Sequence, residues 1–128
     1  MDLRYRCPHC QSVLNRDDTI MLNAKCDGDP IMIGFHPKPG NYQVLLPPGH
    51  MIEPGSRWEF SCPSCSKSLE SDLSADLCCL DMIANNERHR VCFSRIAGEH
   101  ATFVLSTEGI ERHGEHANRH SLEILDLV

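Results

Sequence analysis

The sequence predicts a mainly β protein, and three observations lead there. Short apolar runs that alternate with polar residues recur between turn signals. All eight prolines fall before residue 64, where with glycine they interrupt the chain every few residues and disfavour helix. One pattern occurs twice: aromatic, any residue, Cys, Pro, any residue, Cys, three of any, Leu. Its copies are Tyr5, Cys7, Pro8, Cys10, Leu14 and Phe60, Cys62, Pro63, Cys65, Leu69.

Taken in order, the first copy, in "YRCPHCQSVLN", is a tight turn in which proline presets one backbone angle and both sulfurs point at one centre. Residues 16 to 61 then read as four short antiparallel strands. "TIMLNAKC" and "PIMIGFH" are broken by "DGDP", while "NYQVLLP" and "SRWEFSC" follow the turn signals "KPG" and "EPG". By period two, Ile31, Ile33 and Phe35 share one face, and Tyr42, Val44 and Leu46 share another. The second cysteine turn follows, and the Ser/Asp-rich "SKSLESDLSAD" is a connector.

Residues 72 to 128 contain no proline. "DLCCLDMIANNERHRVCFSRIAGEHATFVLSTEGIERHG" reads as successive strands turned at "NNE", "AGE" and "TEG", a β-meander. Val91, Phe93 and Arg95 alternate with Cys92, Ser94 and Ile96, and Thr102 and Val104 with Phe103 and Leu105, so at least one strand is expected to be buried on both faces. Leu73, Leu77, Leu80 and Ala84 have helical spacing, whereas Leu77, Cys79 and Ile83 fit a strand, and strand is the favoured reading. The tail "ANRHSLEILDLV" ends on Leu125, Leu127 and Val128, and is expected to dock on the body or on another subunit. The expected organisation is a first β domain over 1–71 and a C-terminal meander over 72–128 packed on it.

Eight cysteines and eight histidines in 128 residues favour transition-metal binding, and aromatics at only 5% leave few large side chains to fill a core. Two cysteines hold a metal poorly, but two facing turns supply four thiolates. Cys7, Cys10, Cys62 and Cys65 are therefore the expected ligands of one structural Zn2+, although 51 residues separate Cys10 from Cys62. The paired turns resemble the two knuckles of zinc ribbon and rubredoxin-like proteins, over residues 5–14 and 60–69. That resemblance implies a split zinc ribbon with the intervening strands inserted between its knuckles. In spacing the chain is also similar to Yippee-like and cereblon-type zinc β domains, whose cage of several tryptophans is reduced here to Trp58. Where such knuckles commonly carry glycine in a left-handed conformation after the second cysteine, this chain has Gln11 and Ser66, each costing about 1 kcal/mol or more.

Competing readings of the cysteines are fewer in support. "CPHC" is also the active-site sequence of DsbA-like thiol oxidants, but that motif follows a strand and opens a helix, and only six residues precede Cys7. Iron for electron transfer and simple packing of reduced thiols complete the alternatives. A four-sulfur shell leaves no open coordination position, so a non-enzymatic role as an adaptor or regulatory module that binds another protein is expected. The alternatives are an enzyme or enzyme subunit with a second site around His100 and His113, or a zinc-ribbon nucleic-acid binder.

Charge bears on these. The formal net charge is -6, and four thiolates around one divalent cation take it to about -8. Nucleic acid is disfavoured by that total unless cations cluster, the candidates being Arg4 with Arg6 and the group Arg88, His89, Arg90, Arg95. No run of eighteen apolar residues and no apolar leader occur, so a cytoplasmic protein without a membrane span is expected, with its cysteines reduced. His113, His116 and His120 would share a helix face, but Gly114 disfavours that helix. Cys26 and His36 stand on either side of a hairpin, while Cys78, Cys79 and Cys92 read as small packed hydrophobes.

Overall fold

The computed structural model describes residues 3–72 and 74–117, and among these it is all β with no α-helix. The expectations for Leu73, His120 and the apolar end at Leu125, Leu127 and Val128 lie outside the described residues. Ten strands are present among the described residues: β1 Arg4–Arg6, β2 Asn15–Arg16, β3 Thr19–Lys25, β4 Ile31–Phe35, β5 Val44–Leu45, β6 Glu59–Ser61, β7 Leu77–Ala84, β8 Glu87–Ser94, β9 Thr102–Ser106 and β10 Gly109–His113. They form two antiparallel sheets. One runs β1-β7-β8-β9-β10, so the first strand of the chain is the edge of a sheet otherwise drawn from residues 77 to 113. In the other, β2-β3-β4-β5, strand β6 also pairs with β3, at the end away from β2.

The ambiguous segment is a strand from Leu77, because its side chains are claimed by two cores. Cys78, Leu80 and Met82 face the second sheet, where they meet Leu22, Ile33 and Phe60. Leu77 and Cys79 face the other way, with Cys92, Phe103 and Leu105. Strands β7 and β9 are thus buried on both faces; the alternation at residues 102–105 predicts this for β9, whereas for β7 it is a finding of the structure. The β7–β8 hairpin turns at Asn85 and Asn86, with φ of 51° and 65°. Two successive left-handed residues make the tight turn that matches strand twist, and asparagine tolerates that conformation better than most residues. β5 keeps only two residues of the predicted "NYQVLLP" run, since Pro47 and Pro48 stand just beyond Leu46 and offer no N–H to a neighbour.

The sheets are joined at one side by backbone. Trp58 N–H donates to Arg95 O at 2.9 Å, and Ala97 N–H to Ser56 O at 2.8 Å, linking the approach to β6 with the end of β8. The Arg95 guanidinium, on a residue only 6% exposed, reinforces the join. Its Nε donates to Trp58 O at 2.8 Å, and its Nη1 reaches Glu70 Oε1 and Ala75 O, both at 2.6 Å. The basic group proposed from sequence therefore loses Arg95 to the interior, whereas the register places Arg4, Arg6, Arg88 and Arg90 on one face of the first sheet, beside Asp81.

Burial also has a pH consequence. The Cys78 thiol is pushed up to about 12, first by desolvation, and burial raises the Tyr5 hydroxyl as well. A raised acid is neutral in the fold while the unfolded chain already loses its proton, so the stabilisation is complete below the ordinary thiol pKa and drains away as pH climbs toward 12. At pH 10.5 the Cys78 contribution to this loss is about 2 kcal/mol relative to pH 8. Thermal melts across this range are expected to show the decline, and Cys78→Ala to flatten it.

Candidate metal centre

Each knuckle is a strand that turns back on itself through the same hydrogen bonds. In the first, Cys7 N–H donates to Ser12 O (3.0 Å), Gln11 N–H to Cys7 O (2.9 Å) and Leu14 N–H to Tyr5 O (2.8 Å). In the second, Cys62 N–H donates to Lys67 O (3.1 Å), Ser66 N–H to Cys62 O (2.8 Å) and Leu69 N–H to Phe60 O (2.9 Å). Gln11 and Ser66 both have φ of 63°, the left-handed value expected of the position that glycine commonly fills. Gln11 is tied in place: its side-chain Nε2 donates to Cys7 O and to Asp81 Oδ2, at 3.1 and 3.0 Å.

The two turns face each other. Cys7 Sγ lies 3.7 Å from Cys65 Sγ, and Cys10 Sγ lies 3.7 Å from Cys62 Sγ. All four sulfurs fall within 4.8 Å of one another. Sulfurs at zinc-like bond lengths on a tetrahedron would be separated by about 3.8 Å, far longer than a disulfide. The four cysteines could therefore hold a metal ion. Cys7 and Cys62, first in each turn, are fully buried, and each sulfur accepts an N–H from two residues on, His9 or Ser64, at 3.3 Å. Burial pushes the Cys7 thiol up to about 12, whereas hydrogen bonds from the Ser12 side chain and backbone bring the exposed Cys10 thiol down to about 6.

His9, the residue that makes the first turn look like a thiol oxidant's, sits elsewhere. Its Nε2 is 3.0 Å from Ser68 O and so clamps one knuckle to the other. The motif leads back into a hairpin, not into a helix.

A second group of possible ligands comprises His100, Glu115 and His116. Sequence alone singled out His100 and His113; His113 is not in the group, and its Nε2 stands 3.4 Å from Glu111 Oε2. Glu115 Oε1 lies 3.3 Å from His100 Nδ1 and 3.9 Å from His116 Nε2. His116 Nδ1 accepts the His100 backbone N–H at 2.9 Å, and the His116 N–H returns to His100 O at 2.9 Å. A neutral imidazole that accepts at Nδ1 carries its proton on Nε2, which leaves His116 no lone pair for a metal. The cluster is complete as a hydrogen-bonded turn. Gly114 permits it: φ is +97°, and a Cβ there would stand 2.1 Å from His100 O.

Cys26 and His36 do not meet, because Thr19 to Lys25 separate them along β3 and they fall at opposite ends of its hairpin with β4. Cys79 and Cys92 correct the reading of small packed thiols: they are cross-strand partners and form a disulfide. The signal was present in the two-residue turn at Asn85 and Asn86, since residues equally far from it on either side must oppose one another. A reducing compartment does not favour such a bond. No helix among the described residues is long and apolar enough to cross a membrane.

No family model, curated protein or solved structure matches this chain.

Proposed function

We propose that this protein is a non-enzymatic module of the zinc-ribbon type, in which Cys7, Cys10, Cys62 and Cys65 bind one structural Zn2+ and the β body recognises another protein. The observation that carries the metal reading is the sulfur tetrad with its 3.7 Å separations. Four sulfurs satisfy a tetrahedral ion, so no position remains for substrate, and the site's work is to hold structure. Its placement fits that work, because Cys7 continues β1 of one sheet and Cys62 continues β6 of the other.

Support for a protein partner comes from the β5 edge. Val44 and Leu45 are exposed on this short strand at the end of its sheet, and Met51 in the following loop is 91% exposed. Unpaired backbone groups beside apolar side chains suit an extended segment of a partner added as a further strand.

Elemental analysis of protein purified without added metal is expected to give one zinc per chain. Iron in its place, or no metal, would overturn the metal reading, and a second equivalent would favour the enzyme alternative over a purely structural site. Retention on DNA or RNA that falls with salt would shift the role toward the arginine-bearing face of the first sheet.

A further inference from the structure

The two sheets leave a space between them. A cavity of about 250 Å³, partly open to solvent, lies there. The chain has only seven aromatic residues, and six of them, Tyr5, Phe35, Tyr42, Trp58, Phe60 and Phe93, line it. Phe35, Phe60 and Phe93 form a triangle across the two sheets, with ring centroids 5.5, 5.6 and 5.6 Å apart. Tyr42 and His100 stack at 4.3 Å with their planes within 7°, giving a second flat wall. Phe35, Trp58 and Phe93 pack on the main core and yet stay partly exposed, because they border this space. Protein interiors are otherwise close-packed, so a chain poor in aromatics that gathers them around a void has left room for something.

The polar groups of the walls say what kind of occupant fits. Tyr5 donates its hydroxyl to Pro37 O, the Tyr42 hydroxyl lies 3.1 Å from Thr102 Oγ1, and Trp58 Nε1 donates to Ser56 Oγ at 2.9 Å. Arg95 is held by Glu70 and two carbonyls, and the Ser94 hydroxyl meets Glu99 Oε1 at 2.7 Å. Lys38 is exposed to solvent. Apart from Lys38 at the solvent-facing side, the walls thus offer ring faces and edges whose polar groups already hold hydrogen bonds inside the protein, which rewards an aromatic guest over a charged one.

We infer that this cavity binds a small, uncharged, planar aromatic molecule. Its size would be about ten non-hydrogen atoms, by scale with an apolar cavity of about 150 Å³ that takes benzene. The site is separate from the cysteine tetrad and goes beyond the protein-binding reading.

Trp58 is the only tryptophan and lines the cavity, so it reports directly. Coumarin, uncharged and planar, is the probe, titrated into the full chain with its metal in place and followed by Trp58 emission and by calorimetry. Saturable binding at roughly 0.1 mM is expected, with octanoate at least about tenfold weaker. Ala97 lines the cavity and its backbone is pinned to Gly55 and Ser56, so Ala97→Phe should fill the space and weaken coumarin at least about tenfold. Tyr42→Ala, which removes one ring of the stacked wall, should do the same; near-ultraviolet circular dichroism checks that each variant is folded. Absence of saturation, equal affinity for octanoate, or undiminished binding in a folded variant would overturn the inference. Metal content measured on the same samples separates the two readings: a zinc-loaded chain that ignores coumarin sinks only the cavity, and a zinc-free chain that binds it sinks only the metal site.

Discussion

Removing the metal, by chelation or by Cys62→Ser, is expected to abolish the near-ultraviolet circular dichroism of the protein and to unfold at least its first seventy residues. The reasoning rests on where the sulfurs sit. Cys7 and Cys62 are wholly buried, one at the end of a strand of each sheet, so an ion held by the proposed tetrad would staple the sheets where the opening and middle of the chain meet. In small zinc modules the apparent metal-binding free energy is roughly 10 to 16 kcal/mol, against a whole-domain stability of about 5 to 15 kcal/mol. Losing the first therefore removes most or all of the second. Cys62→Ser leaves three thiolates and a poorer ligand, and should behave like chelation. A native near-ultraviolet spectrum in protein shown by elemental analysis to be free of metal would contradict the proposal.

The second large effect is expected at Arg95. Replacing it with Met keeps an apolar stem but strips Trp58 O of its donor and Glu70 of its cation, and leaves Ala75 O with Arg57 Nη2 alone of its two donors. Leaving a buried carbonyl without its donor costs about 1 to 3 kcal/mol, while the half-exposed Glu70 carboxylate left behind can be solvated. For a chain of this length that lowers the melting temperature by roughly 5 to 10 °C. Glu70→Gln makes the contrast, since the Glu70 side chain is half exposed and water can replace its interaction; about 1 kcal/mol or less is expected there. Equal melting temperatures for the two variants would mean that the guanidinium does not join the sheets as described.

Much of the local structure is legible in the residues themselves. A C-P-x-C turn completes its geometry within about ten residues, through hydrogen bonds that never leave the segment, and so Cys7, Cys10, Cys62 and Cys65 could be picked out in advance and are found gathered in space. The same holds for the runs at β3 and β4, whose alternation is a property of the strand alone, and for the Asn85–Asn86 turn. Residues whose role depends on a distant neighbour were not legible. Nothing in "RYR" says that it will pair with residues 81–83, and Arg95 looks like one more surface cation until Glu70 and Trp58 are brought against it. His100 was singled out, but its partners Glu115 and His116 depend on a glycine turn that no spacing rule encodes.

The sequence by itself determined that this protein is β, where its turns fall and which four sulfurs could share an ion, because those features arise from short-range backbone preference and from the few geometries a tight turn allows. Only the tertiary structure decided that the first strand completes the last sheet, that one arginine becomes a buried clasp, that two cysteines bond across a hairpin, and that six aromatic rings surround a cavity. Those outcomes are set by strand register and by the meeting of two sheets, and a side chain's identity does not specify which remote surface it will face.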